Sequence, residues 1–137
     1  MNELRQTDLI RLGFKFGQSG SHAARTMMLD DLRLLLAYSS LDADRAEYAS
    51  AVVNANVLGK PTRKARELAF GHLCALYALE QTNPIFRTLR HLWALNEAAQ
   101  PMLALSMSLA RDPLLRSTQA FFVSLAPGTP IQRETVE

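Results

Sequence analysis

Apolar side chains recur every three to four positions along most of this chain, which is the spacing of one face of an α-helix. Over residues 21–38, the apolar positions Ala24, Met28, Leu32 and Leu35 alternate with charged residues, and this pattern predicts an amphipathic helix. No pair of strands is visible. The pattern therefore predicts an all-α fold, a compact bundle of about six helices.

Capping residues and prolines set the boundaries of the other helices. Asn83-Pro84 and Asp112-Pro113 each place an N-cap residue before a first-turn proline, and Thr62 is suited to cap a helix after Pro61. The segment from Leu68 through Leu79 has no charged residue, which predicts a central, buried helix. With the first helix at 21–38, the remaining helices are expected at about 42–54, 63–80, 84–97, 101–111 and 113–124.

The two ends of the chain have weaker patterns. Residues 1–20 are predicted to form an N-terminal arm or a short helix, because Gly13 and Gly17 weaken both alternatives. Residues 21–125 are predicted to form the helical domain. Residues 126–137 lose helical periodicity, and we interpret them as a linker or as the start of a missing C-terminal part.

Composition indicates a protein that folds on its own and resides in the cytoplasm. Hydrophobic residues make up 48% of the chain and charged residues 20%, as in ordinary globular proteins. Cys74 is the only cysteine, so no disulfide can form within the chain. We see no signal peptide and no apolar stretch of the roughly 20 residues that a bilayer crossing needs, so no membrane contact is expected.

Candidate catalytic and metal-binding groups do not form a recognisable pattern. His22, His72 and His91 fall in separate predicted helices, without acidic residues at the spacing of a helical metal site. Asp30 and Asp31 are adjacent, so they point about 100° apart, and we interpret them as solvent-exposed. We therefore expect no catalytic residue, no metal and no cofactor, and we predict that the protein is not an enzyme.

Positive charge is concentrated at one predicted helix start. Arg supplies 12 of the 15 basic residues, which fits contacts with phosphate or carboxylate and fits equally well a bias in the coding sequence. Lys60, Arg63, Lys64 and Arg66 gather where a helix begins, although cations there oppose the helix dipole by roughly 0.3–1 kcal/mol each. This mismatch predicts an anionic partner.

The surroundings of these residues are similar to a helix-turn-helix unit. A predicted helix at 42–54, a short turn with Gly59 and a second helix opened by Thr62 would present the basic residues to DNA. Arg87, Arg90 and His91 are predicted to form a second basic strip opposite an apolar helix face. This strip would extend the surface that contacts DNA. The predicted nucleic-acid-binding residues are Lys60, Thr62, Arg63, Lys64, Arg66, Arg87 and Arg90.

Two segments carry a resemblance to a known family. The first is Asn56–Lys60, followed by the Thr62 cap and the basic helix; the second runs from Leu92 through Pro101–Leu105 to Ala110–Arg116. In these segments the sequence resembles BrxA, the small helical accessory protein of BREX bacteriophage-defence systems. The likeness spans roughly residues 21–123, and family members look longer than this chain.

The resemblance implies an all-helical fold similar to the antitermination factor NusB, a role in phage defence, and non-catalytic binding of double-stranded DNA. The alternative hypothesis is a protein–protein adaptor or assembly subunit of the defence complex. In that case the basic helix start would engage acidic residues of a larger subunit, and an adaptable groove would be lined by methionines. The oligomeric state stays open. The methionines in question are Met27, Met28, Met102 and Met107.

Overall fold

The structure, a computed structural model, describes residues 5–17 and 27–136, and its regular elements in these ranges are all helical. The all-α prediction is therefore confirmed. Five of the nine α-helices in the described ranges have nine residues or more. The helices are α1 (Gln6–Leu12), α2 (Leu29–Tyr38), α3 (Arg45–Val53), α4 (Arg63–Tyr77), α5 (Pro84–Trp93), α6 (Gln100–Arg111), α7 (Pro113–Ser117), α8 (Gln119–Ser124) and α9 (Arg133–Val136), with a 3-10 helix at Glu97–Ala99.

Helices α4 and α6 form the centre of the bundle and pack against each other. Helix α3 lies against α4, α5 and α7 lie against α6, α2 packs on α3, and α1 packs on α5. None of the helices in the described ranges is both long and apolar enough to span a bilayer. The largest apolar side chains of the core are Leu32, Leu35, Tyr48, Val52, Leu73, Leu76, Tyr77, Leu79, Phe86 and Met107.

Side-chain caps fix the starts of four helices. Thr62, Asn83 and Asp112 each accept a hydrogen bond from the backbone N–H three residues later, at 3.1, 3.0 and 3.0 Å. The predicted helix starts at 63, 84 and 113 are thus confirmed. Helix α3 begins at Arg45 rather than at residue 42, because Asp44 is its cap and accepts from Glu47 N at 2.9 Å.

The predictions of where α2 begins and α4 ends were wrong. Helix α2 starts at Leu29, because Met28 has a left-handed backbone with φ 49°, and residues 21–26 lie outside the described part of the chain. Helix α4 ends at Tyr77 rather than at residue 80. Ala78 has φ 66° and ψ −49°, and Leu79 N donates to Tyr77 O at 2.8 Å, which makes a tight γ-turn that no residue of the helical pattern signals.

Other segments are also more divided than the sequence pattern predicts. Helix α5 ends at Trp93, short of the predicted residue 97, and the predicted helix at 113–124 is split at Thr118. Of the arm or short helix predicted at 1–20, the described part holds both, since α1 is followed by non-helical residues 13–17. The tail, which loses helical periodicity in the sequence, contains the four-residue α9.

The part of α4 without charged residues, from Leu68 onward, is central, but it is not buried on all sides. Leu73, Leu76 and Tyr77 are inaccessible to solvent or nearly so, whereas Leu68 is 50% exposed. Gly71 also lies on the exposed side. In a bundle of this size, even a central helix keeps one face toward solvent, so the prediction of a wholly buried helix was wrong.

Among the hydrogen bonds of the described residues, six arginines donate to backbone carbonyl oxygens, and we call them the carbonyl-binding arginines. Arg111, for example, donates from Nε to Ala75 O at 3.2 Å, near the end of α4. Such carbonyls at helix ends lack intrahelical donors. These six arginines thus contribute to the fold itself. The six are Arg45, Arg66, Arg87, Arg90, Arg111 and Arg116.

Candidate nucleic-acid interface

The connection between α3 and α4 is ordered by hydrogen bonds within the turn. Gly59 has φ 67° and donates from its N–H to Asn56 O at 3.0 Å, while the Asn56 side chain accepts from Lys60 N at 2.8 Å. The connection comprises the nine residues 54–62, whereas a helix-turn-helix unit has a turn of about three or four. The turn predicted at Asn56–Gly59 is present, and it lies within this longer connection between the two helices.

Lys60 is paired with an acid from a distant part of the chain. Its Nζ lies 3.2 Å from Asp31 Oδ2, and the side chain of Asp31 is only 18% exposed. The interpretation of Asp31 as a solvent-exposed acid was therefore wrong, because the fold brings the first turn of α2 against the α3–α4 connection. The positive charge of Lys60 is largely balanced by this contact.

Arg66 forms hydrogen bonds within the hairpin of α3 and α4. Its Nε donates to Lys60 O at 3.3 Å, and its Nη1 donates to Val53 O at 3.3 Å. These bonds link the first turns of α4 to the end of α3 and to the turn between them. Arg66 thereby holds the helix start in place and has fewer donors left for an external group.

Arg63 and Lys64 present their charged groups to solvent. Arg63 Nε contacts Glu67 Oε1 at 3.1 Å, but both side chains are more than half exposed, so this pair is weak. Lys64 is exposed and has no ion pair or hydrogen bond from its side chain within the described ranges. The first turn of α4 contains no acid, and Thr62 is occupied as its cap.

The second basic strip differs from its prediction. Arg90 is 6% exposed, and its Nη2 donates to Leu36 O and Ser39 O, each at 2.9 Å. Arg90 therefore does not face solvent beside Arg87, because the carbonyls at the end of α2 require donors and draw it inward. The prediction that Arg90 belongs to an exposed strip was wrong.

Arg87 is exposed but lies away from the start of α4. Its Nη1 donates to Gln81 O at 3.0 Å, in the loop that follows α4. A helix of 15 residues is about 22 Å long, so Arg87 and Arg63 lie near opposite ends of α4. The two groups of basic residues do not form one continuous surface.

Two acidic residues near α4 were missed in the assignment of the basic cluster. Glu67 lies four positions after Arg63, a spacing at which helical side chains meet, so this pair could have been predicted. Asp31 is 29 positions from Lys60, and no sequence pattern indicates that contact. The acids reduce the net positive charge at this helix start from four to two, as Asp31 and Glu67 each offset one of the four basic residues.

The candidate metal-binding and thiol groups of the chain form no recognisable site in the described residues. Within the described ranges, no three His, Cys, Asp or Glu side chains come together in a way that could hold a metal ion. His22 lies outside those ranges. Burial raises the pKa of the Cys74 thiol, which keeps it protonated at neutral pH.

The four methionines of the adaptor hypothesis do not share one surface. Met107 is buried, whereas Met102 is 65% exposed, and five helical positions place the two about 140° apart around α6. Met27 and Met28 pack against the core beside α2. A separate apolar groove of about 450 Å³ lies between α1, α5 and α6, and of these four methionines it contains only Met107.

Comparison of the chain with protein families, curated proteins and solved structures finds no match. The likeness to the BrxA family accordingly rests on the two sequence segments given above. In the fold, the segment Asn56–Lys60 forms the turn that contacts Asp31. The second segment, from Leu92 to Arg116, runs from the end of α5 through α6 into α7.

Proposed function

We propose that this chain is a non-enzymatic DNA-binding accessory protein of a bacteriophage-defence system, and that the first turn of α4 contacts duplex DNA. The observation that carries the proposal is the exposure of Arg63 and Lys64 in a first turn without acids. Cations at this position destabilise a helix by roughly 0.3–1 kcal/mol each, and a phosphate between them and the free backbone N–H groups would offset that cost. The role in defence is supported by the BrxA resemblance alone.

The predicted site residues divide into two roles under this proposal. Arg63 and Lys64 contact phosphates directly, since their charged groups are exposed. Thr62, Lys60 and Arg66 position the helix start through the cap, the Asp31 pair and the bonds to Val53 and Lys60 carbonyls. A footprint of about two phosphates predicts weak, sequence-independent binding with a log–log salt slope of about −1.8.

Titration of a fluorescently labelled duplex tests this proposal by anisotropy. Raising salt from about 50 to about 200 mM should weaken wild-type binding by about tenfold. The double variant Arg63→Gln/Lys64→Gln should bind more weakly at low salt and lose nearly all of the salt dependence. Arg5→Gln/Arg11→Gln removes the same charge from exposed positions of the α1 region and serves as the control. Equal losses in the two double variants would show that net charge, and not this helix start, attracts DNA.

The alternative is a protein–protein adaptor without direct DNA contact. It is favoured by one observation, the apolar groove between α1, α5 and α6, because grooves between helices accept apolar faces of partner helices. Under this hypothesis Arg63 and Lys64 would meet carboxylates of a larger defence-complex subunit. A wild-type chain that shows no salt-dependent binding to the duplex would favour the adaptor.

A further inference from the structure

A second opening, separate from the start of α4, lies between the end of α2, the second half of α5 and the start of α6. Its volume is about 540 Å³, and we call it the α2–α5 cleft. Apolar contacts come from α2 and from Trp93, the only tryptophan of the chain. Its polar lining consists of Arg33, Ser39, Arg90, Glu97 and Gln100.

Arg90 forms part of this cleft as a buried charge without an acidic partner. It is 6% exposed, and no carboxylate lies within ion-pair distance among the described residues. Its hydrogen bonds, to Leu36 O and Ser39 O, use Nη2 alone. Nε and the hydroxyl of the neighbouring Tyr48 are both buried, and the Arg90 guanidinium interacts with that hydroxyl. Carbonyl dipoles compensate a buried cation less well than an anion does, so the site retains capacity for a negative group.

A second arginine and an unpaired hydroxyl lie in the same cleft. Arg33 is held by Gln100, whose Oε1 accepts from Arg33 Nε at 3.1 Å, and its contact with the exposed Asp30 is long, at 3.6 Å. Ser39 Oγ is buried and has no hydrogen-bond partner, although a buried hydroxyl ordinarily has one. Arg33 and Arg90 thus donate mainly to neutral oxygens, and the Ser39 hydroxyl has no acceptor.

We propose that the α2–α5 cleft binds a small organic anion, whose carboxylate or phosphate group lies between Arg33 and Arg90 and accepts a hydrogen bond from Ser39. Guanidinium groups match the paired oxygens of such anions. The body of the ligand would lie against Trp93. Glu97 at the exposed edge disfavours a second negative group, so the ligand carries its anionic charge at one end.

The sole tryptophan gives a direct measurement of binding. We would titrate the full chain with sodium phosphate and, separately, with sodium benzoate at constant ionic strength, and record the fluorescence of Trp93. A saturable change with a dissociation constant on the order of 1 mM is expected for at least one probe. Saturation by benzoate alone assigns a carboxylate, and saturation by phosphate alone assigns a phosphate; either supports the site.

Variants separate the cleft from general charge effects. Arg33→Gln, at the half-exposed edge, should weaken binding about tenfold or more, because it removes a charge-assisted hydrogen bond. Ser39→Ala should weaken binding while leaving the fold intact. Arg63→Gln carries the same charge change outside the cleft and should bind like the wild type, which also keeps this test independent of the DNA proposal.

Two results would overturn the proposal. One is the absence of a saturable change with both probes, confirmed by an unchanged melting temperature in the presence of each, since a ligand of the native state raises that temperature. The other is equal affinity of the wild type and Arg33→Gln for every probe that binds.

Discussion

Arg87 and Arg90 are three positions apart on α5 and carry the same charge, yet their surroundings differ. Arg90 is buried and satisfies two carbonyl oxygens at the end of α2, whereas Arg87 is exposed and satisfies one carbonyl in a surface loop. A planar guanidinium can donate to two carbonyls from one nitrogen, and an ammonium on a different stem cannot take the same position. Replacing the arginine should therefore change stability much more at position 90 than at position 87.

Arg90→Lys should lower the free energy of unfolding by about 1–3 kcal/mol, because it leaves at least one buried carbonyl without its donor. The matched variant Arg87→Lys should change it by no more than about 0.5 kcal/mol. Urea unfolding at neutral pH, followed by circular dichroism, measures both. Similar effects of the two substitutions would contradict the structural role assigned to Arg90.

At the scale of one element, the two ends of α4 differ in how they are held. The start has a side-chain cap at Thr62, and the end has a γ-turn at Ala78 that is strained for a residue with a Cβ. Arg45 Nη2 donates to Ala78 O at 2.7 Å and holds this turn from outside the helix. The tertiary structure, and not the local sequence, ends α4.

Ala78→Gly should leave the free energy of unfolding within about 1 kcal/mol of the wild type, because the relief of strain offsets the loss of a buried methyl group. Glycine relieves a positive-φ strain of about 1–3 kcal/mol, and its greater freedom in the unfolded chain returns part of that gain. The control Ala75→Gly, three residues earlier within α4, should lower stability by about 1 kcal/mol. Thermal or urea unfolding measures both variants, and a loss at Ala78 as large as the loss at Ala75 would contradict the strain assigned to Ala78.

Helix starts could be predicted from sequence because their causes are local. Thr62, Asn83 and Asp112 cap helices through bonds to residues three positions away. The end of α4 and the start of α2 could not, because Ala78 and Met28 have no sequence signal for a positive φ.

The candidate site divides in the same way. The exposure of Arg63 and Lys64 follows from their place in a first helical turn. The partners of Lys60 and Arg90 are 29 and at least 51 positions away, so only the fold shows them. A charged residue in an amphipathic pattern is ordinarily placed on the solvent face, and this is why Arg90 was misplaced.

At the scale of the whole molecule, stability depends on tyrosines that are packed in the core as neutral groups. Tyr77 is inaccessible to solvent, donates from its hydroxyl to Met27 O, and has its pKa raised by burial to about 12. Burial also raises the pKa of Tyr48, although the charge of Arg90 opposes this shift. Both groups keep their protons in the folded chain at pH values where the unfolded chain releases them.

The free energy of unfolding should fall as pH rises from 10 to about 12. A tyrosine in the unfolded chain ionises near pH 10, whereas Tyr77 in the folded chain ionises near pH 12. Across this window the unfolded state is therefore stabilised relative to the folded state by about 2–3 kcal/mol. The stabilisation is fully present below pH 10. Tyr77→Phe should be less stable at neutral pH but lose less stability across the window, whereas the exposed Tyr38→Phe should follow the wild type. Parallel alkaline curves for wild type and Tyr77→Phe would contradict this assignment.

Arg116 joins the two halves of the chain, and this has a consequence for synthesis on the ribosome. Its Nη2 donates to Lys15 O at 2.6 Å across 101 positions, and its guanidinium lies 4.7 Å from the centre of the Phe16 ring. At about 5–20 residues per second, the arm at 13–17 emerges roughly 5–20 s before the side chain that receives it. The arm at 13–17 is therefore made well before these two contacts with Arg116 can form.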